Sequence, residues 1–294
     1  MCRFSFAILF IACLPACAQS KAAQFELPAG VEWKQDLVYS SPGGRDLHLD
    51  LYLPKEGKGP FPAVVYIHGG GWAGGNKTAF RRQAAYMATK GFAGACIEYR
   101  LSGEAVFPAA LDDSKAAVRW VRANAAKYRI DAQKIGAAGG SAGGHLVGML
   151  GTTADVPAFE GKGGNPGVSS RVAAVAAFNP ALDLVMAGKT SSSADGAVSK
   201  FLGCSYSKCP ELWAKASPPT HVSRNTPPFL LLHGKADTTI PYQVSVDMKA
   251  TLDKLGVRAD LYPAEGAKHG FFNSDPWFEP AMKRMEQFFV EVLK

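Results

Sequence analysis

The sequence predicts an α/β fold, with a mostly parallel sheet covered by helices on both faces. Three observations lead there. First, short apolar runs such as Ala63–His68, Phe92–Ile97, Val172–Phe178, Phe229–His233 and Arg258–Tyr262 alternate with longer amphipathic stretches at Ala79–Lys90, Pro108–Tyr128, Tyr242–Leu255 and Pro276–Lys294. Uninterrupted apolar runs suit strands buried on both faces, and the stretches between them supply the crossovers that parallel pairing requires. Second, Gly139-Gly140-Ser141-Ala142-Gly143 joins the apolar run Lys134–Ala138 to the helix-forming segment Ala142–Leu150. That is a sharp strand-to-helix turn. Third, a chain of 294 residues, 47% hydrophobic and 19% charged, can fill one large core.

Taken in order, the chain opens on a targeting segment at residues 1–18. Arg3 gives a positive end, Phe4–Leu14 an apolar stretch of eleven residues, and Ala16-Cys17-Ala18 a small-residue cleavage pattern. Eleven residues are too few to span a bilayer. Two processing routes fit: cleavage after Ala18, or lipidation of Cys17 within Leu14-Pro15-Ala16-Cys17. Both place the mature protein outside the cytoplasm, secreted, periplasmic or lipid-anchored. Residues 19–35 read as a linker and 36–294 as the folded domain. Asp36–Ser40 and Asp46–Leu53 alternate around Pro42-Gly43-Gly44, so they predict an antiparallel hairpin at one edge of the sheet.

The segment 179–225 is too long for an ordinary strand-to-helix connection. An insertion there overhangs the carboxyl ends of the strands, where open α/β sheets bind ligands, so it predicts a small cap or pocket wall. A surface excursion is the competing reading. Its cysteines, Cys204 and Cys209, are expected to pair in an oxidising compartment, whereas Cys96 lies in an apolar run and reads as a buried thiol.

The net charge of +7 is spread along the chain without a basic stripe, which argues against a nucleic-acid partner. The glycine run at residues 69–71 also fails as a phosphate loop. In Gly74-Gly75-Asn76-Lys77-Thr78, asparagine stands where the glycine before the lysine belongs.

The chemistry starts from Ser141. A serine hydroxyl is a weak nucleophile until a base takes its proton and a third group orients that base. On a strand–turn–helix scaffold the partners follow in the order serine, acid, histidine, each just past a strand. Asp237 comes four residues after the run Phe229–His233, and His269 lies in the loop after Arg258–Tyr262. They are the expected acid and base. Asp112 and Asp113 open a helix and are better explained by its dipole and solvent. His145 sits one turn into the helix after Ser141, and His233 reads as a buried histidine bonded to backbone. An oxyanion hole is expected from the amides of Gly70, Gly71 and Ala142, since three glycines after the strand Ala63–Ile67 let the backbone turn its N–H groups outward. His68 then braces that loop. The motifs call for no metal and no cofactor.

His68-Gly69-Gly70-Gly71-Trp72, Glu98-Tyr99-Arg100-Leu101, Phe107-Pro108-Ala109, Gly139-Gly140-Ser141-Ala142-Gly143-Gly144-His145 and His269-Gly270-Phe271 together resemble the α/β-hydrolase superfamily. The branch they are most similar to is the hormone-sensitive-lipase-like esterases, in particular the bifunctional feruloyl and acetyl xylan esterases. The resemblance implies an eight-stranded sheet and a Ser141–Asp237–His269 triad working through an acyl-enzyme. It also implies an ester substrate, with acetyl or feruloyl groups on xylan as the expected class. Trp72, Tyr99, His145 and Phe271 are the expected substrate contacts, with Phe272 and Trp277 extending an aromatic groove. A general short-acyl carboxylesterase is the nearest alternative. A catalytically dead adhesion or binding relative is the alternative from another class, and the intact triad and glycine loop argue against it.

Overall fold

A computed structural model describes residues 25–154, 156–190 and 196–294. The leader expected at residues 1–18, including Cys17, lies outside the described residues. Eight strands form one sheet: β1 (Val31–Ser40), β2 (Leu47–Pro54), β3 (Phe61–Ile67), β4 (Ala93–Ile97), β5 (Ile130–Gly140), β6 (Val175–Phe178), β7 (Phe229–Gly234) and β8 (Ala259–Ala264). Their spatial order is β1-β2-β4-β3-β5-β6-β7-β8. The β1–β2 and β2–β4 pairs are antiparallel and every other pair is parallel. The central strands read as unbroken apolar runs because both of their faces are covered.

Helices α1 (Arg81–Thr89), α2 (Ala109–Ala123), α3 (Ala142–Thr152), α4 (Leu184–Thr190), α5 (Ala197–Leu202), α6 (Pro210–Lys215), α7 (Gln243–Lys254) and α8 (Phe278–Leu293) complete the fold. Two buried clusters lie on opposite faces of the sheet. One holds the inward sides of α2, α3 and α7, and the other those of α1 and α8. Helix α8 shows why the sequence folds this way. Its buried Ala281, Met282, Met285, Phe288, Phe289 and Leu293 recur at helical spacing and form one apolar stripe. The helix settles onto β5 at Gly136, where a Cβ would lie 2.6 Å from the Phe289 ring.

Two expectations need correction. The fold begins at Val31 rather than Asp36, so the expected linker 19–35 contains the start of β1. The register slips between Lys34 and Leu37 at a bulge where Asp36 has φ 54°, and this breaks the alternation that marks a strand. Asp113 faces inward instead of toward solvent. It is buried, and its carboxylate accepts hydrogen bonds from the Arg100 amide and guanidinium at 2.8–3.2 Å. His68, expected to brace the glycine loop, stacks on Tyr99 at 4.3 Å between ring centres. Lys77, from the rejected phosphate pattern, is held by Asp36 at 2.8 Å and by the buried Asp50 at 2.7 Å.

Candidate active site

The sheet positions the site at the carboxyl ends of β5, β7 and β8. Ser141 follows β5 directly with φ 56° and ψ −118°, a backbone conformation that costs about 1–3 kcal/mol for a residue with a side chain. The turn is fixed on both sides. The Ser141 amide donates to the Phe178 carbonyl at 2.9 Å, and the His145 amide donates to the Ser141 carbonyl at 3.0 Å. A Cβ at Gly139 would lie 2.5 Å from the Gly143 carbonyl oxygen, so glycine is required there by contact. The outcome is a half-buried hydroxyl standing above the strand ends.

Asp237 and His269 meet this hydroxyl. Asp237 Oδ2 lies 2.7 Å from His269 Nδ1, and His269 Nε2 lies 3.0 Å from Ser141 Oγ. The other carboxylate oxygen accepts from the amides of Thr239 at 2.8 Å and Ile240 at 2.9 Å. Burial pushes the Asp237 carboxyl up, but hydrogen bonds from His233, His269 and the Ile240 and Thr239 amides outweigh it and hold the group well below the usual carboxylate range. An ionised carboxylate on Nδ1 keeps that nitrogen protonated and leaves Nε2 free to accept the serine proton.

The glycine loop after β3 faces Ser141. Gly70, Gly71 and Trp72 have φ of 113°, 60° and 58° in succession. Glycine adopts positive φ freely, whereas Trp72 holds it against the contact its Cβ makes. Among the described residues, the amides of Gly70, Gly71 and Ala142 make no hydrogen bond to the protein. Gly69 packs against the serine turn, where a Cβ would lie 2.8 Å from the Gly140 carbonyl oxygen.

A cavity of about 300 Å³ opens beside Ser141. Gly71, Trp72, Ser141 and Ala142 form its chemical end, while Leu184, Met186, Ala187 and Val198 from the insertion and Ile240 and Val244 from the α7 side form its apolar walls. The insertion is braced by the Cys204–Cys209 disulfide, whose Cα atoms are 6.1 Å apart, and by Trp213, which donates to the Cys204 carbonyl at 3.0 Å. Trp72 joins insertion to loop by stacking on Phe201 with ring centres 4.6 Å apart.

Of the expected aromatic contacts, only Trp72 lines this cavity. Tyr99 is buried with its hydroxyl donating to the His68 carbonyl at 3.1 Å, behind the glycine loop. Phe271 is packed into the cluster on the α1/α8 face, as is Phe272. His145 is fully buried beneath Trp72. Tyr99, Phe271 and Phe272 turn inward because apolar side chains beside a site are also the material of the core beneath it.

Two further residues stand beside His269 and Asp237: Asn179, which gave no signal in the sequence, and His233, read there as buried and bonded to backbone. Asn179, buried at the end of β6, places Nδ2 at 3.2 Å and 3.3 Å from the two ring nitrogens of His269, so its amide spans one face of the imidazole. His233, read as a structural histidine, lies between Ser245 at 2.8 Å and the Ile240 carbonyl at 3.0 Å. It also sits 3.4 Å from Asp237 Oδ2. The order of serine, acid and histidine in the chain points to Ser141, Asp237 and His269 but not to the side chains that flank them.

The chain is similar to ester hydrolases in both sequence and structure. Esterase LipQ of Mycobacterium tuberculosis is 33% identical over 248 residues, which cover 80% of this chain and 56% of that protein. The chain spans about half the length of the curated relatives it matches. A truncated form of a carbohydrate esterase from gut microbiota superposes with a TM-score of 0.79 at 30% identity, covering 88% of this chain and 95% of that one. The propionate-bound esterase Est2 of Thermogutta terrifontis superposes with a TM-score of 0.75 at 32% identity, covering 90% and 95% respectively. The BD-FAE family model matches residues 49–252, a stretch that holds the glycine loop, Ser141, Asp237 and the cavity wall; the chain belongs to the BD-FAE family.

Proposed function

We propose that this protein is a serine carboxylic ester hydrolase acting through an acyl-enzyme. The observation that carries the reading is the continuous hydrogen-bonded line from Asp237 through His269 to Ser141, with steps of 2.7 Å and 3.0 Å. His269 Nε2 takes the Ser141 proton as Oγ attacks the ester carbonyl carbon. The carbonyl oxygen becomes negative and is met by the amides of Gly70, Gly71 and Ala142. Collapse of the tetrahedral intermediate breaks the bond to the alcohol oxygen, which leaves with the proton from His269. Water then repeats the sequence on the acyl-serine and frees the acid. Asp237 stabilises the imidazolium that forms in each half-reaction.

The substrate class we propose is acetyl or feruloyl esters of plant polysaccharide such as xylan. Its support is the family together with the likeness to a carbohydrate esterase. The apolar walls of the cavity favour a second reading, a carboxylesterase of short acyl chains with no carbohydrate role. We also propose that the protein works outside the cytoplasm, secreted, periplasmic or lipid-anchored at Cys17. The disulfide in the insertion supports that location. No described helix is long and apolar enough to cross a membrane.

Hydrolysis of p-nitrophenyl acetate by wild type and Ser141→Ala tests the mechanism, and equal turnover by the two would end it. Acetylated xylan, methyl ferulate and p-nitrophenyl butyrate then separate the substrate readings. Turnover of butyrate alone removes the polysaccharide assignment. Mass spectrometry of the mature N-terminus distinguishes lipidated Cys17 from a free Gln19.

A further inference from the structure

His145 ties together three parts of the molecule that chain connectivity leaves separate. It belongs to α3, the helix that starts at Ser141. Its Nδ1 accepts a hydrogen bond from the Trp72 indole N–H at 3.3 Å, and its Nε2–H donates to the Ala216 carbonyl of the insertion at 2.7 Å. These two bonds fix one neutral tautomer, with the proton on Nε2. Burial favours the neutral form and pushes the imidazole down to about 4.

Trp72 needs such an anchor. It is a bulky residue at φ 58°, following two glycines that are also at positive φ. A non-glycine residue holds that conformation only when its surroundings over-determine it. Here the surroundings are the Phe201 ring stacked on one face of the indole, the His145 ring against it edge to face, and the acceptor nitrogen at its N–H. Release of the indole would free the Trp72 backbone, and the amides of Gly70 and Gly71 immediately before it would lose their aim.

We infer that His145 is a positioning residue: by accepting the Trp72 indole N–H, it holds the glycine loop in the left-handed conformation that presents the Gly70 and Gly71 amides to the substrate carbonyl. This rests on the ester-hydrolase reading. Because the amides act on charge that develops only in the transition state, loss of the anchor lowers kcat and leaves KM nearly unchanged.

Two near-isosteric changes separate the two hydrogen bonds. The side-chain oxygen of asparagine can take the place of Nδ1, so His145→Asn keeps the Trp72 bond and drops the Ala216 bond. The amide nitrogen of glutamine can reach the Nε2 position, so His145→Gln does the reverse. The full-length variants are compared for kcat and KM on p-nitrophenyl acetate, with Ser141→Ala as the blank. The 1H–15N resonance of the Trp72 indole, assigned through Trp72→Phe, is followed in each. The expected result is a kcat for His145→Gln lower by roughly tenfold or more, KM within about threefold, and an indole resonance shifted from its hydrogen-bonded position. His145→Asn recovers most of the rate and the resonance. Trp72→Phe keeps the stacking on Phe201 but lacks the donor, so it copies the kcat loss, and adding His145→Gln to it costs little more. A His145→Gln enzyme with wild-type kcat, or equal losses in both His145 variants with the Trp72 resonance in place, overturns the inference. Absence of Ser141-dependent turnover in wild type overturns the ester-hydrolase reading itself and takes the inference with it.

Discussion

A side chain on Gly143 would overlap the carbonyl oxygen of Ile67, the last residue of β3, and would approach the His68 carbonyl oxygen to 2.6 Å. The helix carrying Ser141 therefore touches the strand carrying the glycine loop, backbone to backbone. Gly143→Ala must separate them. The expected cost is about 1–3 kcal/mol of stability, read from chemical denaturation, with a fall in esterase rate larger than that loss explains.

The strain at Ser141 makes a different prediction. Ser141→Ala and Ser141→Gly both remove the hydroxyl, but only glycine adopts φ 56° and ψ −118° without a Cβ penalty. Ser141→Gly should therefore unfold at a higher temperature than Ser141→Ala, although glycine also loses more entropy on folding. A reversed order by calorimetry would show that the strain at this turn is smaller than the entropy glycine loses on folding.

His145 also sets part of the acid stability. Burial pushes its imidazole down from 6.5 to about 4, against the hydrogen bond to Ala216 that raises it. In the unfolded chain the group protonates first as pH falls. Its contribution is thus complete above 6.5 and is lost progressively as pH falls toward about 4. His68 is lowered by burial too and adds in the same direction. Wild-type unfolding midpoints should fall across this window, and His145→Asn should reduce the slope without abolishing it. An unchanged slope in the variant would remove His145 from the account.

The cavity wall predicts acyl-chain selectivity. Ala187 on α4 lines the cavity beside Met186 and Val198. Ala187→Phe should lower kcat/KM for p-nitrophenyl butyrate about tenfold or more relative to acetate, because a ring there fills the space a longer chain needs. Met186→Ala should shift the preference toward longer chains. Parallel losses on both esters would place the acyl group elsewhere.

The disulfide closes a short loop, with its cysteines separated by 5 positions. The chain-entropy estimate for so short a loop is about 2 kcal/mol. Cys204→Ser with Cys209→Ser should lower stability by that order. KM should rise while Ser141 keeps its reactivity toward a phosphonate probe, since the bond braces the cavity wall and not the triad.

Much of this was legible in the sequence because it depends on order and period. Apolar runs such as Phe229–His233 mark strands whatever packs on them, and Ser141, Asp237 and His269 follow one another as the scaffold requires. What escaped depends on the direction of single side chains. Tyr99 and Phe271 neighbour the site in sequence and face the core in space. Asp113 has the same charge as a solvent-facing aspartate, and only the fork of Arg100 tells them apart. The start of β1 was hidden because a bulge at Asp36 shifts the alternation out of phase. Asn179 lies beside His269 across a gap of 90 residues that no local pattern bridges.

Asp237 and His269 emerge from β7 and β8, which are hydrogen-bonded neighbours in register as far as Gly234 and Ala264. Ser141 emerges from β5, with β6 between. Asp237 and His269 thus ride on one two-stranded ribbon at the sheet's margin, while Ser141 is seated in its interior. The 2.7 Å contact therefore lies within the ribbon, and the 3.0 Å contact spans from the ribbon to the interior strand. The serine-to-histidine distance is thus the one step of this line that joins separate parts of the sheet.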